Sequence, residues 1–94
     1  AKERIISSNY PNPFNPTTTI SYTLPDNITD SHVTIYNVRG QKVITLDATA
    51  AASGLHQATW HGDDSSGKPV ASGVYFYRIQ ANDIEVTRRM LLLK

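Results

Sequence analysis

Short runs of alternating apolar and polar residues organise the whole chain. In residues 17–24, Ile20, Tyr22 and Leu24 fall on one face, a period of two that predicts a half-buried strand. Residues 32–38 follow with Val33 and Ile35 inward, and residues 41–46 read as the returning strand. Residues 55–61 form another run, in which Trp60 shares a face with the small Ala58. In residues 74–81, Tyr75, Tyr77 and Ile79 alternate with Phe76 and Arg78. Arg78 should face water, so the Tyr75 face is the expected core face. Residues 84–94 make the last strand, apolar on both faces towards its end.

The breaks between these runs carry turn chemistry. Pro25-Asp26-Asn27 closes the first strand, and Asn37-Val38-Arg39-Gly40 suits a tight hairpin with Gly40 at positive φ. Residues 62–67 read as a polar turn held by an Asx residue, and Asn82-Asp83 as a two-residue hairpin turn. Residues 47–53 (DATAAAS) are the one helix-prone stretch. They are too short to hold a helix without packing, so a loop or single turn is expected. At the start, Tyr10, Asn12 and Asn15 each precede a proline and are driven away from the α region. Residues 1–16 are therefore expected to form an extended linker and a stiff Pro-rich arm, ahead of a strand-rich domain over residues 17–94. The pattern gives an all-β fold of six or seven short, antiparallel-type strands, at a spacing typical of sandwiches and barrels.

Composition narrows the function. The chain has 94 residues, 9 Lys+Arg, 8 Asp+Glu, a net charge of +1, 39% apolar residues and no Cys. One small domain has little room for an active-site cleft beside its core. Near-neutrality argues against a general electrostatic grip on nucleic acid, and no thiol is available for disulfides, catalysis or metal. The longest apolar run, Met90-Leu91-Leu92-Leu93, is far short of the ~20 residues a spanning helix needs. Ala1 stands where Met would begin a complete chain, so a piece of a larger protein is expected.

Candidate chemistry is thin. His56 and His61 are five positions apart on one expected strand, which sends them to opposite faces, and His32 has no orienting partner in the pattern. Asp63-Asp64-Ser65-Ser66-Gly67 has the composition of a calcium loop, but the twelfth position from Asp63 is Val74, not Glu. Neither Ser65 nor Ser66 sits in a nucleophile elbow. Asn27-Ile28-Thr29 matches a glycosylation sequon. No catalytic residue, metal site or cofactor is expected, and the chain is read as a non-enzyme. Aromatics offer a different reading: Tyr10, Phe14, Tyr36 and Phe76 are candidates for partial exposure and could form a sugar-stacking platform, while Trp60 and Tyr75 are expected in the core.

A set of ordered motifs adds a family resemblance. The opening Asn9-Tyr10-Pro11-Asn12-Pro13-Phe14-Asn15-Pro16 leads into residues 17–20 (TTTI). VTIYNVRGQKV follows at 33–43, with Gly40. Trp60-His61-Gly62, Asp64, Gly67, Val70, Gly73-Val74-Tyr75 and a terminal Met90-Leu91-Leu92-Leu93-Lys94 complete the order. Together they resemble the C-terminal sorting domains of the Por-type (type IX) bacterial secretion system, and also the related Ig-like domain of flagellar hook-capping proteins. The resemblance departs at His61, where the family usually has Asp or Asn.

This resemblance implies a seven-stranded Ig-like sandwich at the C-terminus of a larger exported protein, often a hydrolase. It also implies that the final strand is read by type IX machinery at the outer membrane of a Gram-negative cell. An N-terminal cargo domain in the same precursor is the implied neighbour. After processing near the domain start, such cargo is commonly attached to surface lipopolysaccharide or released. The expected recognition strand is Arg88, Arg89, Met90, Leu91, Leu92, Leu93 and Lys94. Asn12, Pro13, Asn15 and Pro16 belong to the expected tether. The competing readings are an appended carbohydrate-binding module and a structural Ig-like spacer.

Overall fold

The computed structural model describes residues 6–25, 30–52 and 54–94. Among them are eight strands and no helix: β1 (Ser7–Tyr10), β2 (Thr18–Thr23), β3 (His32–Tyr36), β4 (Lys42–Asp47), β5 (Thr49–Ala52), β6 (Leu55–Trp60), β7 (Gly73–Ala81) and β8 (Ile84–Leu92). They form two four-stranded sheets, ordered β1-β2-β6-β5 and β4-β3-β7-β8, and every pairing is antiparallel. The fold is an Ig-like β-sandwich with one more strand than expected. The Asp26-Asn27 part of the first turn, the Asn27 sequon and residues 1–5 lie outside the described residues.

The period-two pattern decides what is buried. Ile20 and Tyr22 of β2, Val33 and Ile35 of β3, Ala58 and Trp60 of β6, and Tyr75, Tyr77 and Ile79 of β7 all face the space between the sheets. His56 joins them, stacked on the Tyr22 ring with centroids 5.5 Å apart. His61 is exposed beyond the end of β6. Trp60 is fully buried, and Tyr75 meets it edge-on at 5.2 Å. Burial of side chains this large contributes roughly 1.5–3 kcal/mol each.

Three expectations need correcting. Residues 49–52 are a strand, not a loop or single turn. Thr49 and Ala50 lie opposite Gln57 and His56, and ladder bonds to the edge of β6 satisfy a backbone too short to nucleate a helix. Residues 7–16 do not stand off as a free arm. Ser7–Tyr10 pairs with β2 from Ser7↔Tyr22 to Tyr10↔Thr19, and Asn9 Nδ2 donates to Thr18 Oγ1 at 3.2 Å. Phe14, expected to be partly exposed, is 2% exposed in the core with its ring 5.7 Å from Trp60.

The turns follow their residue chemistry. Asn37 Oδ1 accepts the N–H groups of Arg39 and Gln41, and Gly40 adopts φ +79°. Asn82 takes φ +53° in the two-residue link between Ala81 and its partner Ile84, a conformation Asn tolerates.

Candidate functional site

The expected recognition residues lie on β8 and just beyond it, at the edge of the second sheet. Pairing with β7 runs from Gly73↔Leu92 to Ala81↔Ile84, so among the described residues one side of β8 has no strand neighbour. Alternation along β8 splits the expected set in two. Met90 and Leu92 are buried core residues, whereas Arg88, Arg89, Leu93 and Lys94 are exposed and Leu91 is half-buried. Arg88 has the same parity as Val86 and Met90, so it points along the core-facing side of an edge strand. Its charge acts on Tyr77: burial pushes the Tyr77 phenol above its ordinary value, while the Ser7 hydrogen bond and Arg88 pull the other way.

The far end of this edge is already covered. Phe14 N–H donates to Leu91 O at 3.0 Å, Leu93 N–H donates to Phe14 O at 2.9 Å, and Leu91 N–H donates to Asn12 Oδ1 at 3.2 Å. Phe14 thus runs parallel to β8 as a one-residue bridge opposite Leu92. These bonds show that odd-numbered residues of β8 direct their backbone groups outward. At Glu85, Thr87 and Arg89, beyond the reach of Phe14, the outward edge has no backbone partner among the described residues.

The other motif residues build the support beneath that cover. Trp60 Nε1–H donates to Asp63 O at 2.8 Å, and Tyr75 O–H to Ala71 O at 2.6 Å. Asp64 Oδ1 accepts from Ser66 N–H, Ser66 Oγ–H and Lys68 N–H, and Gly67 N–H returns to Asp64 O. The Ser66 hydroxyl first, then the Lys68 amide, hold the Asp64 carboxyl below its ordinary value. Gly62 has φ +73°, and a Cβ there would stand 3.0 Å from Pro16 O, so Gly62 lets the loop after β6 close on the Pro-rich segment. Gly73 opens β7, while Pro13, Asn15 and Pro16 sit exposed on either side of buried Phe14. His61 Nδ1 lies 3.4 Å from Thr17 Oγ1.

Two shallow clefts lie at the C-terminal end of the chain, one beyond β8 and one beside it. One of about 450 Å³ is walled by Pro16, His61, Asp63 and Lys94. The other, about 360 Å³, lies between Asn12, Val74, Arg89 and Leu91. Among the described residues no cluster of three His, Cys, Asp or Glu is placed to hold a metal ion.

On the outer face of the second sheet, Tyr36 and Phe76 are directly opposite one another and half-buried. The Arg78 guanidinium covers the Tyr36 ring at 4.7 Å and donates through Nη1 to its hydroxyl at 3.2 Å. Glu85 Oε2 is 3.3 Å from Arg78 Nε, but among the described residues that nitrogen has no hydrogen-bond partner. The pair is therefore a charge contact, of the exposed kind that contributes about 0–1 kcal/mol.

The family model of the FlgD Ig-like domain matches residues 12–84. The chain belongs to the FlgD Ig-like domain family. Among solved structures, it is similar to dimeric latent PorU from Porphyromonas gingivalis, with 20% identity and a TM-score of 0.79 over 99% of this chain and 10% of that one. It is also similar to PorZ, a surface component of the type IX secretion system of the same organism, with 22% identity and a TM-score of 0.66 over 94% of this chain and 11% of that one. The chain thus spans about a tenth of each structure, and likeness at this identity establishes the Ig-like fold. No curated protein matches the sequence.

Because Met90 to Leu93 are apolar on both faces, the sequence does not show which parity of β8 is buried. Counting back from core residues Met90 and Leu92 places Arg88 inward. The cover by Asn12 and Phe14 has one signal in the sequence, an aromatic residue set among prolines, for which partial exposure is the expectation.

Proposed function

We propose that this domain is a non-catalytic C-terminal module of a larger exported protein, acting as the address for type IX secretion across the outer membrane and as a surface-attachment unit. The observation that best supports this reading is the union of the two ends of the motif order. Asn12 and Phe14 bond to Leu91 and Leu93, so the opening segment and terminal strand form one structural unit that a receptor can read only in the folded domain. The fold likeness to a piece of PorZ is consistent with the same system. The partners in this reading are the outer-membrane machinery, the N-terminal cargo domain and, after processing, surface lipopolysaccharide.

The test is to fuse residues 1–94 to a periplasmic reporter in a type IX-competent host and assay surface display. Removing residues 85–94 should abolish display, but it also strips Met90 and Leu92 from the core. The sharper variant is therefore Arg89→Gln with Lys94→Gln, both exposed. Display that survives in both variants overturns the terminal-strand reading. Absence of display in the parent favours a structural spacer.

Half-buried Phe76, beside a Tyr36 ring that Arg78 covers, is the observation behind a second reading, an appended carbohydrate-binding module. It is tested by pull-down on insoluble polysaccharide with Tyr36→Ala and Phe76→Ala. The remaining aromatics support it less, because Phe14 is buried and Tyr10 stands at a distance on β1.

A further inference from the structure

The open part of the β8 edge and the cleft beside it share a boundary. Asn12 and Phe14 satisfy the outward backbone groups at Leu91 and Leu93, and the uncovered edge ends at Arg89. The cleft of about 360 Å³ adjoins that junction and is lined by the apolar Val74, Met90 and Leu91 together with Asn12 and Arg89. Asn12 Oδ1 is held by Leu91 N–H, which fixes the amide and leaves Nδ2 to donate elsewhere. Arg89 is exposed and forms no ion pair among the described residues. Its cross-strand neighbour is Phe76. Glu85, the one acidic residue of β8, lies about 13 Å along the strand and faces Arg78.

Resting on the address reading above, we propose that Glu85, Thr87 and Arg89 accept an extended peptide by strand addition, and that a carboxylate of this peptide seats against Arg89 and Asn12 in the adjoining cleft. The backbone groups supply sequence-independent affinity, and the guanidinium with the amide supplies the choice of ligand. A charged side chain pointing inward from an edge strand opposes sheet-to-sheet association, and Arg88 is such a residue. A lone strand leaves the Arg88 head in water, whereas a second sandwich docked edge to edge would bury it. The occupant is thus a single extended segment and not another copy of the domain. The expected recognition set shifts accordingly, towards the strand centre and away from Met90 and Leu92.

Three short N-acetylated peptides of alternating Thr and Val test this by NMR with the full 94-residue chain. One ends in Asp-amide, one in Asn-amide, and one in Val with a free carboxylate. The Glu85, Thr87 and Arg89 amide signals should move and exchange more slowly with solvent. At least one carboxylate peptide should bind about tenfold tighter than the Asn-amide, as one charge-assisted contact allows. Arg89→Gln should erase that preference while Arg39→Gln, in the turn between β3 and β4 and outside the cleft lining, keeps it. A preference confined to the Asp peptide identifies a side-chain carboxylate, and one confined to the free-acid peptide identifies a chain terminus in parallel alignment. Shifts at β1, β4 or β5 instead, no shifts at millimolar peptide, a preference that survives Arg89→Gln, or peptide-independent dimerisation overturns the proposal. Binding with these features alongside failed surface display leaves the site intact and removes only the address reading.

Discussion

Phe14 and Leu91 join the two ends of the domain: the Phe14 N–H donates to the Leu91 carbonyl at 3.0 Å, while the Phe14 ring is buried beside Trp60. One residue therefore seals the sandwich and caps the edge of its last strand. Phe14→Ala should cost about 3–5 kcal/mol, the usual range for an aromatic removed from a packed core. Urea unfolding measures the loss, and hydrogen exchange should show faster exchange of the Leu93 amide, whose acceptor is Phe14 O. A loss below about 1 kcal/mol with Leu93 still protected would contradict this double role.

Gly62 and Gly40 separate space from backbone strain. Both have positive φ, but a Cβ at Gly62 meets Pro16 O at 3.0 Å, while a Cβ at Gly40 meets nothing within 4 Å. Gly40→Ala should cost about 1 kcal/mol from conformation alone. Gly62→Ala adds a backbone clash and should cost roughly 2–4 kcal/mol. Denaturant midpoints should rank Gly62→Ala below Gly40→Ala, and the opposite order would refute the close approach of the loop to Pro16.

The strands that sequence revealed are those whose side chains alternate into the core. Ile20 with Tyr22, Val33 with Ile35, and Tyr75 with Tyr77 and Ile79 each give a period-two signal because both sheets bury one face. Strands β1 and β5 carry little of it. Ser7, Ser8 and Asn9 hold their place by backbone pairing and polar contacts, and an Ala-rich stretch resembles a helix until the β6 edge is available to pair with it. The candidate site was legible as a strand but not as an edge with a covered end. That cover depends on a contact between Asn12 and Leu91, 79 positions apart in the chain, which no local pattern encodes.

Asp64 should make the loop after β6 acid-sensitive. Its folded carboxyl titrates below the ordinary value of 3.8, chiefly because Ser66 hydrogen-bonds to it. The unfolded chain then binds more protons near that pH, so the stabilisation is present above the unfolded value and is lost as pH falls through the folded one. Asp64→Asn should flatten this part of the stability profile as pH falls below about 5. Carboxyl chemical shifts followed by NMR give the direction of the titration independently.

At the alkaline end, burial raises the phenols of Tyr22, Tyr75 and Tyr77 above 10.0. A raised folded value keeps the proton on in the native state, so this contribution is complete below pH 10 and is lost as pH climbs through the folded values. Phenolate absorbance should therefore show a late-ionising class that appears together with unfolding. Tyr77→Phe should remove one member of that class, and a tyrosine titration completed without any loss of fold would contradict the burial of these rings.

Removing only Leu93 and Lys94 separates folding from recognition. The deletion takes away two backbone donors, Leu93 N–H to Phe14 O and Lys94 N–H to Ser72 Oγ, but leaves Met90 and Leu92 in the core. At about 0.5–1.5 kcal/mol net for each hydrogen bond, the domain should lose roughly 1–3 kcal/mol and stay folded. Calorimetry checks the stability, and the reporter fusion checks display under the same conditions. A folded, shortened domain that is no longer displayed assigns the terminal pair to the receptor. Display at the parent level moves recognition back to the Glu85–Arg89 edge, where the ligand cleft begins.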